Sequence, residues 1–100
     1  MTGQPKEHEL QLRVGLSEPD LKAAMEAARR LEGYGLKIQS VTERGLSVLG
    51  LRVDIERAFS TTVGNSGGSI QFMVEPDYSR LPKSPGYRAY FPRQPEYFGR

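Results

Sequence analysis

Residues 17–61, SEPDLKAAMEAARRLEGYGLKIQSVTERGLSVLGLRVDIERAFST, decide the fold. Ser17-Glu18-Pro19-Asp20 reads as a helix start. A Ser at the N-cap accepts from orphan amide donors, Pro has no donor to lose in the first turn, and acids favour the positive end of the dipole. Leu21, Ala24, Met25, Ala28 and Leu31 then recur at helical spacing and predict one apolar stripe facing a core. Gly33 or Gly35 can take the left-handed conformation that stops such a helix. Leu36-Lys37-Ile38-Gln39 and Leu46-Ser47-Val48-Leu49-Gly50-Leu51 read as strands joined across the turn Thr42-Glu43-Arg44-Gly45. Asp54 is placed to cap a second, shorter helix whose apolar residues Ile55, Ala58 and Phe59 lie three and four apart.

Outward from this stretch, Leu10, Leu12, Val14 and Leu16 alternate with Gln11, Arg13 and Gly15, the pattern of a strand with one face on a core. Val63-Gly64-Asn65-Ser66-Gly67-Gly68 is a loop by composition. Ile70, Phe72 and Val74 alternate with Gln71, Met73 and Glu75 and predict a fourth strand ended by Pro76. Strand, helix, strand, strand, helix, strand is the order of two βαβ units side by side. The expected fold is therefore α+β and ferredoxin-like (βαββαβ), a four-stranded antiparallel sheet with both helices on one face. Its core would be Leu12, Val14, Leu21, Met25, Ala28, Leu31, Ile38, Val48, Ile55, Phe59, Ile70 and Phe72. Residues 9–76 form this domain, residues 1–8 a flexible N-terminus, and residues 77–100 an extended basic aromatic tail.

One hundred residues suffice for a single domain with its own core. The chain has no cysteine, so disulfides, thiolate metal sites and a Cys nucleophile are excluded. The one histidine, His8, lies in a polar segment and reads as solvated, so no metal and no cofactor are expected. No apolar run reaches the length of a membrane span and the N-terminus lacks a signal-peptide layout, which points to the cytoplasm. The formal charge of +2 is unevenly spread. Residues 1–78 hold nine Lys or Arg against eleven Asp or Glu, whereas residues 79–100 hold five against one.

That last segment is broken by Pro82, Pro85, Pro92 and Pro95 and carries Tyr87, Tyr90, Phe91, Tyr97 and Phe98 directly after Tyr78. Extended, proline-spaced segments with rings and Arg suit a strap that grips a partner. Tyr87, Arg88, Tyr90, Phe91 and Arg93 are the expected partner-binding residues. The alternative is that the strap folds back over its own sheet. Self-association is a third arrangement the sequence leaves open.

Other chemistry is weakly signalled. Gly64-Asn65-Ser66-Gly67-Gly68 lacks the Lys-Ser/Thr and the helix that a phosphate loop needs. Arg44-Gly45-Leu46-Ser47-Val48-Leu49-Gly50-Leu51 lies where an RNA-recognition domain of this topology carries rings, but Leu46, Val48 and Leu51 offer none for a base to stack on. Nucleic acid is left with a sequence-independent attraction to the basic tail. The carboxylate pairs Glu7 and Glu9, and Asp54 and Glu56, sit in a polar start and a helix first turn, and no Ser has a His base. The chain reads as non-enzymatic.

Ala27-Ala28-Arg29-Arg30-Leu31, then Gly35-Leu36, then Leu46-Ser47-Val48-Leu49-Gly50, then Ile55-Glu56-Arg57-Ala58-Phe59-Ser60-Thr61 resembles the activation (pro-) domain of the sedolisin or kumamolisin family of serine-carboxyl peptidases. The resemblance implies a ferredoxin-like domain that docks on a peptidase, assists its folding and blocks its active site. The family's catalytic residues belong to its peptidase domain and none is carried over to a residue here. A peptidase-independent interaction or assembly module built on the same fold and tail is the alternative.

Overall fold

A computed structural model describes residues 9–93. The expectations for residues 1–8, including His8, and for Pro95, Tyr97 and Phe98 lie outside the described residues.

Strand β1 (Leu10–Leu16) leads into helix α1 (Leu21–Glu32), the hairpin β2 (Lys37–Thr42) and β3 (Gly45–Gly50), and helix α2 (Arg52–Phe59). A second hairpin, β4 (Val63–Ser66) and β5 (Ser69–Phe72), precedes a last strand, β6 (Tyr87–Tyr90). The fold is α+β, with a four-stranded sheet of order β2-β3-β1-β6, antiparallel throughout, and a separate two-stranded sheet.

The strand assignments differ from the expectation. The fourth strand of the main sheet is Tyr87–Tyr90, not Ile70–Val74: Leu16, Gly15, Val14 and Arg13 of β1 pair with Tyr87, Arg88, Ala89 and Tyr90. Pro85 and Pro92 bracket these residues without entering the ladder, which is where proline is tolerated. Ile70 and Phe72 instead turn back on Val63–Ser66, because Gly67 and Gly68 both take positive φ (60° and 84°), the signature of a tight two-residue hairpin turn. The supposed loop is thus a strand, and the sheet continues beyond residue 76 into the supposed tail.

Helix α1 is capped by Asp20, whose Oδ1 accepts from the Ala23 amide at 3.0 Å, and not by Ser17. The Ser17 hydroxyl is held by the Gly86 amide at 2.9 Å, beside the start of β6. The buried face of α1 is Ala23, Ala24, Ala27, Ala28 and Leu31, while Leu21 and Met25 are 50% and 58% exposed. Small residues at four of those positions let the helix lie close to the sheet, and the larger pair is turned outward. Asp54 does not cap α2 either: Leu51 is the N-cap residue, and Asp54 pairs with Arg57 at 2.8 Å. Gly33 is right-handed, and it is Gly35 that takes the positive φ, 96°.

The core unites α1 and α2 with one face of the sheet: Leu12 and Val14 from β1, Leu46 and Val48 from β3, Ala89 from β6, and Leu31, Ile55, Ala58 and Phe59 from the helices. Phe59 is fully buried and makes edge contacts with Phe72 (6.4 Å) and Tyr78 (6.0 Å). Each fully buried Leu, Ile, Val or Phe in this core contributes about 1.5–3 kcal/mol by leaving water. Ile38, Ile70 and Phe72, expected in the core, are half-buried at its border.

Candidate functional site: the free face of the sheet

Strand alternation puts Leu12, Val14, Leu46, Val48 and Ala89 on the core side, so their neighbours face the other way. Register then aligns three cross-strand rows on the free face. Arg88, Gly15, Gly45 and Thr42 form the first, Tyr90, Arg13, Ser47 and Ser40 the second, and Gln11, Leu49 and Lys37 the third. A Cβ at Gly45 would collide with the Val14 carbonyl, so a glycine here lets β1 and β3 approach closely.

A depression of about 400 Å³ runs over this face, lined among others by Gln11, Arg13, Ser40, Arg44, Ser47 and Tyr90, and no lining residue is a carboxylate. Its polar floor is partly tied down. Gln11 Nε2 donates to Gln39 Oε1 (3.1 Å) and to Ser47 Oγ (3.2 Å), and the Ser47 hydroxyl donates to the same Gln39 oxygen (3.2 Å). At the far end Lys37 holds Glu9 at 2.9 Å. Arg13, Arg44 and Arg88 form no ion pair among the described residues.

The five residues expected to bind a partner are divided by this geometry. Arg88 and Tyr90 are on the free face, with Tyr90 45% exposed. Tyr87 turns inward, where its ring tilts on Tyr78 at 6.3 Å. Its hydroxyl is buried with no hydrogen-bond partner among the described residues. Burial, and then the Asp20 carboxylate, push this phenol above the usual tyrosine range, and Arg30 opposes them. Phe91 packs on Phe72 at 4.7 Å. Arg93 is exposed beside the β4–β5 hairpin. Tyr78 reaches across: its hydroxyl accepts from the Ala89 amide at 2.8 Å, covering part of the outer edge of β6.

The other residues of the face, Gln11, Arg13, Gln39, Arg44 and Ser47, were not singled out from the sequence. For Gln11 and Arg13 the signal was available in the polar half of the β1 alternation, Gln11-x-Arg13-x-Gly15, which a core-directed reading passes over.

The face offers amides, hydroxyls and guanidinium groups. Among the described residues, no three His, Cys, Asp or Glu are grouped so that they could hold a metal ion. Within the same residues no helix is long and apolar enough to cross a membrane. No protein-family model, no curated protein and no solved structure matches the chain.

Proposed function

We propose that this is a non-catalytic, propeptide-like binding domain whose partner is a serine peptidase, which it inhibits or helps to fold. The observation that carries the reading is the free face of a four-stranded antiparallel sheet, whose depression is lined by no carboxylate and whose other face is filled by both helices. On this reading β1, α1, β2, β3, α2 and β6 are a ferredoxin-like βαββαβ unit, and the β4–β5 hairpin is an insertion after α2. The order β2-β3-β1-β6 supports that assignment. So does the sequence resemblance, since its segments fall on α1, β3 and α2.

With β6 as the last strand of the sheet, the segment that in the pro-domains runs toward the enzyme cleft begins here at Phe91, not at Asp77. Partner contact is then assigned to Arg88, Tyr90 and Arg93 together with the free face, and Tyr87 and Phe91 act as internal supports.

One observation favours the peptidase-independent alternative: two of the three rings expected to anchor a partner are spent on Tyr78 and Phe72 of the same chain. The full chain should be added to a purified serine-carboxyl peptidase, and separately to the same peptidase during refolding. Dose-dependent inhibition at micromolar concentration or below, or a raised refolding yield, is the expected outcome. Neither effect at any accessible concentration would discard the peptidase and leave the interaction module.

A further inference from the structure

We propose that the free sheet face takes an acidic segment of a protein partner. This deepens the function above, resting on its premise that the face is the docking surface, and adds the chemistry of what docks. Three guanidinium groups converge on the face from three different places: Arg13 at its centre on β1, Arg88 on β6 beside Gly15, and Arg44 in the turn between β2 and β3. None has a carboxylate partner among the described residues. The chain does supply carboxylates to cations elsewhere: Glu26 serves Arg29 and Arg30, and Asp54 serves Arg57. Glu9, at the far end of the face, is already taken by Lys37. The face is thus a cationic surface whose counter-charges are left to the partner, the arrangement that steers association and rejects basic partners.

The neutral groups narrow the class. Gln11, Gln39 and Ser47 bond to one another along the floor, which ties their positions to the strands. Tyr90 is the one ring among the described residues lining the depression. A single-stranded nucleic acid needs successive rings to stack on, whereas a peptide carboxylate needs the planar, bidentate donor fork that Arg presents. A protein segment bearing Asp or Glu therefore fits better than a polynucleotide of equal charge.

The test uses the full chain, titrated with a fluorescein-labelled polyglutamate peptide, a polylysine peptide and an oligothymidylate of equal length, while backbone amide shifts report where each lands. Polyglutamate should bind, fade with added salt, and shift Arg13, Ser47, Arg88 and Tyr90; polylysine should not bind. The double variant R13Q/R88Q should weaken polyglutamate roughly fivefold to tenfold, the combined effect of two exposed charge contacts. Both sites are exposed, so its thermal midpoint should match the wild type. K22Q/K83Q removes the same charge from the helix side and should leave binding unchanged. The proposal is overturned if polyglutamate fails to bind, if its shifts fall on α1 or α2, or if R13Q/R88Q binds like the wild type. Tighter binding of oligothymidylate to the same residues would assign the face to nucleic acid instead. The two proposals also fail separately. Peptidase inhibition that survives R13Q/R88Q removes the cationic face and keeps the pro-domain function, while polyglutamate binding without inhibition of any peptidase does the reverse.

Discussion

Replacing Phe59 tests how α2, the β4–β5 hairpin and the segment after it are joined. The ring is fully buried and meets Phe72 and Tyr78 edge-on, and the Phe59 carbonyl accepts from the Asp77 amide at 2.8 Å. Phe59→Ala removes the transfer energy of the ring and leaves a cavity, about 3–5 kcal/mol by the usual range for such truncations. For a domain of this size that lowers the thermal midpoint by on the order of 15–30 °C. Phe59→Leu is the sharper probe, since it keeps most of the apolar volume and forfeits the two ring pairs, each worth ~0.5–1.5 kcal/mol. Chemical denaturation of Phe59→Leu, Phe72→Leu and the double variant closes a cycle in which the coupling should be about 0.5–1.5 kcal/mol. Strict additivity, with a Phe59→Leu cost near zero, would refute the packing of the hairpin on α2.

Tyr87→Phe should leave stability unchanged or raise it by about 1 kcal/mol in urea denaturation, because the lost hydroxyl is desolvated without a partner. The same phenol has a raised pKa in the folded chain, so its contribution is intact below the ordinary tyrosine range. It is lost as pH rises through the folded value, since the unfolded chain releases its proton first. Thermal midpoints measured upward from neutral pH should therefore fall less steeply in Tyr87→Phe. Asp20→Ala should cost about 1 kcal/mol through loss of the α1 cap, and circular dichroism melts should show Ser17→Ala costing less to the helix. Asp77 is held below the ordinary carboxylate range by the Ser79 amide and then the Ser79 hydroxyl, against a desolvation that outweighs the smaller help from Arg80. Its support is present above that range and fades as pH falls through the lowered value, which carboxyl-carbon NMR titration should show.

Much of the scaffold was legible because local chemistry and final packing agree there. Leu12 and Val14 alternate and are buried; Ile55, Ala58 and Phe59 recur at helical spacing and are buried; the turn at Thr42–Gly45 joins the strands on either side. The failures have a common origin in choices that tertiary contacts make. Leu21 and Met25 fit a helical stripe, but the four alanines occupy the face that can approach the sheet closely, so the larger side chains are displaced outward. Ile70-Gln71-Phe72 and Tyr87-Arg88-Ala89-Tyr90 are both short alternating runs, and periodicity cannot say which lies beside β1. The adjacent Gly67-Gly68 settles the first locally, as a hairpin. The prolines around the second mark its ends, although by composition they suggested an unpaired tail. The free-face residues were hidden for another reason: polar positions on a half-buried strand look like ordinary solvated surface until neighbouring strands bring several of them together.

The assignment of a free sheet face depends on Tyr87–Tyr90 lying beside β1, and amide hydrogen exchange on the intact chain tests that directly. The Ala89 amide points away from β1 to the Tyr78 hydroxyl, so antiparallel alternation turns the Arg88 and Tyr90 amides toward β1. Those two amides should exchange as slowly as those of β3, and far more slowly than the amides of Lys83 and Ser84 in the preceding loop. Exchange of Arg88 and Tyr90 at the loop rate would contradict the fourth strand, and with it the docking face built on that strand.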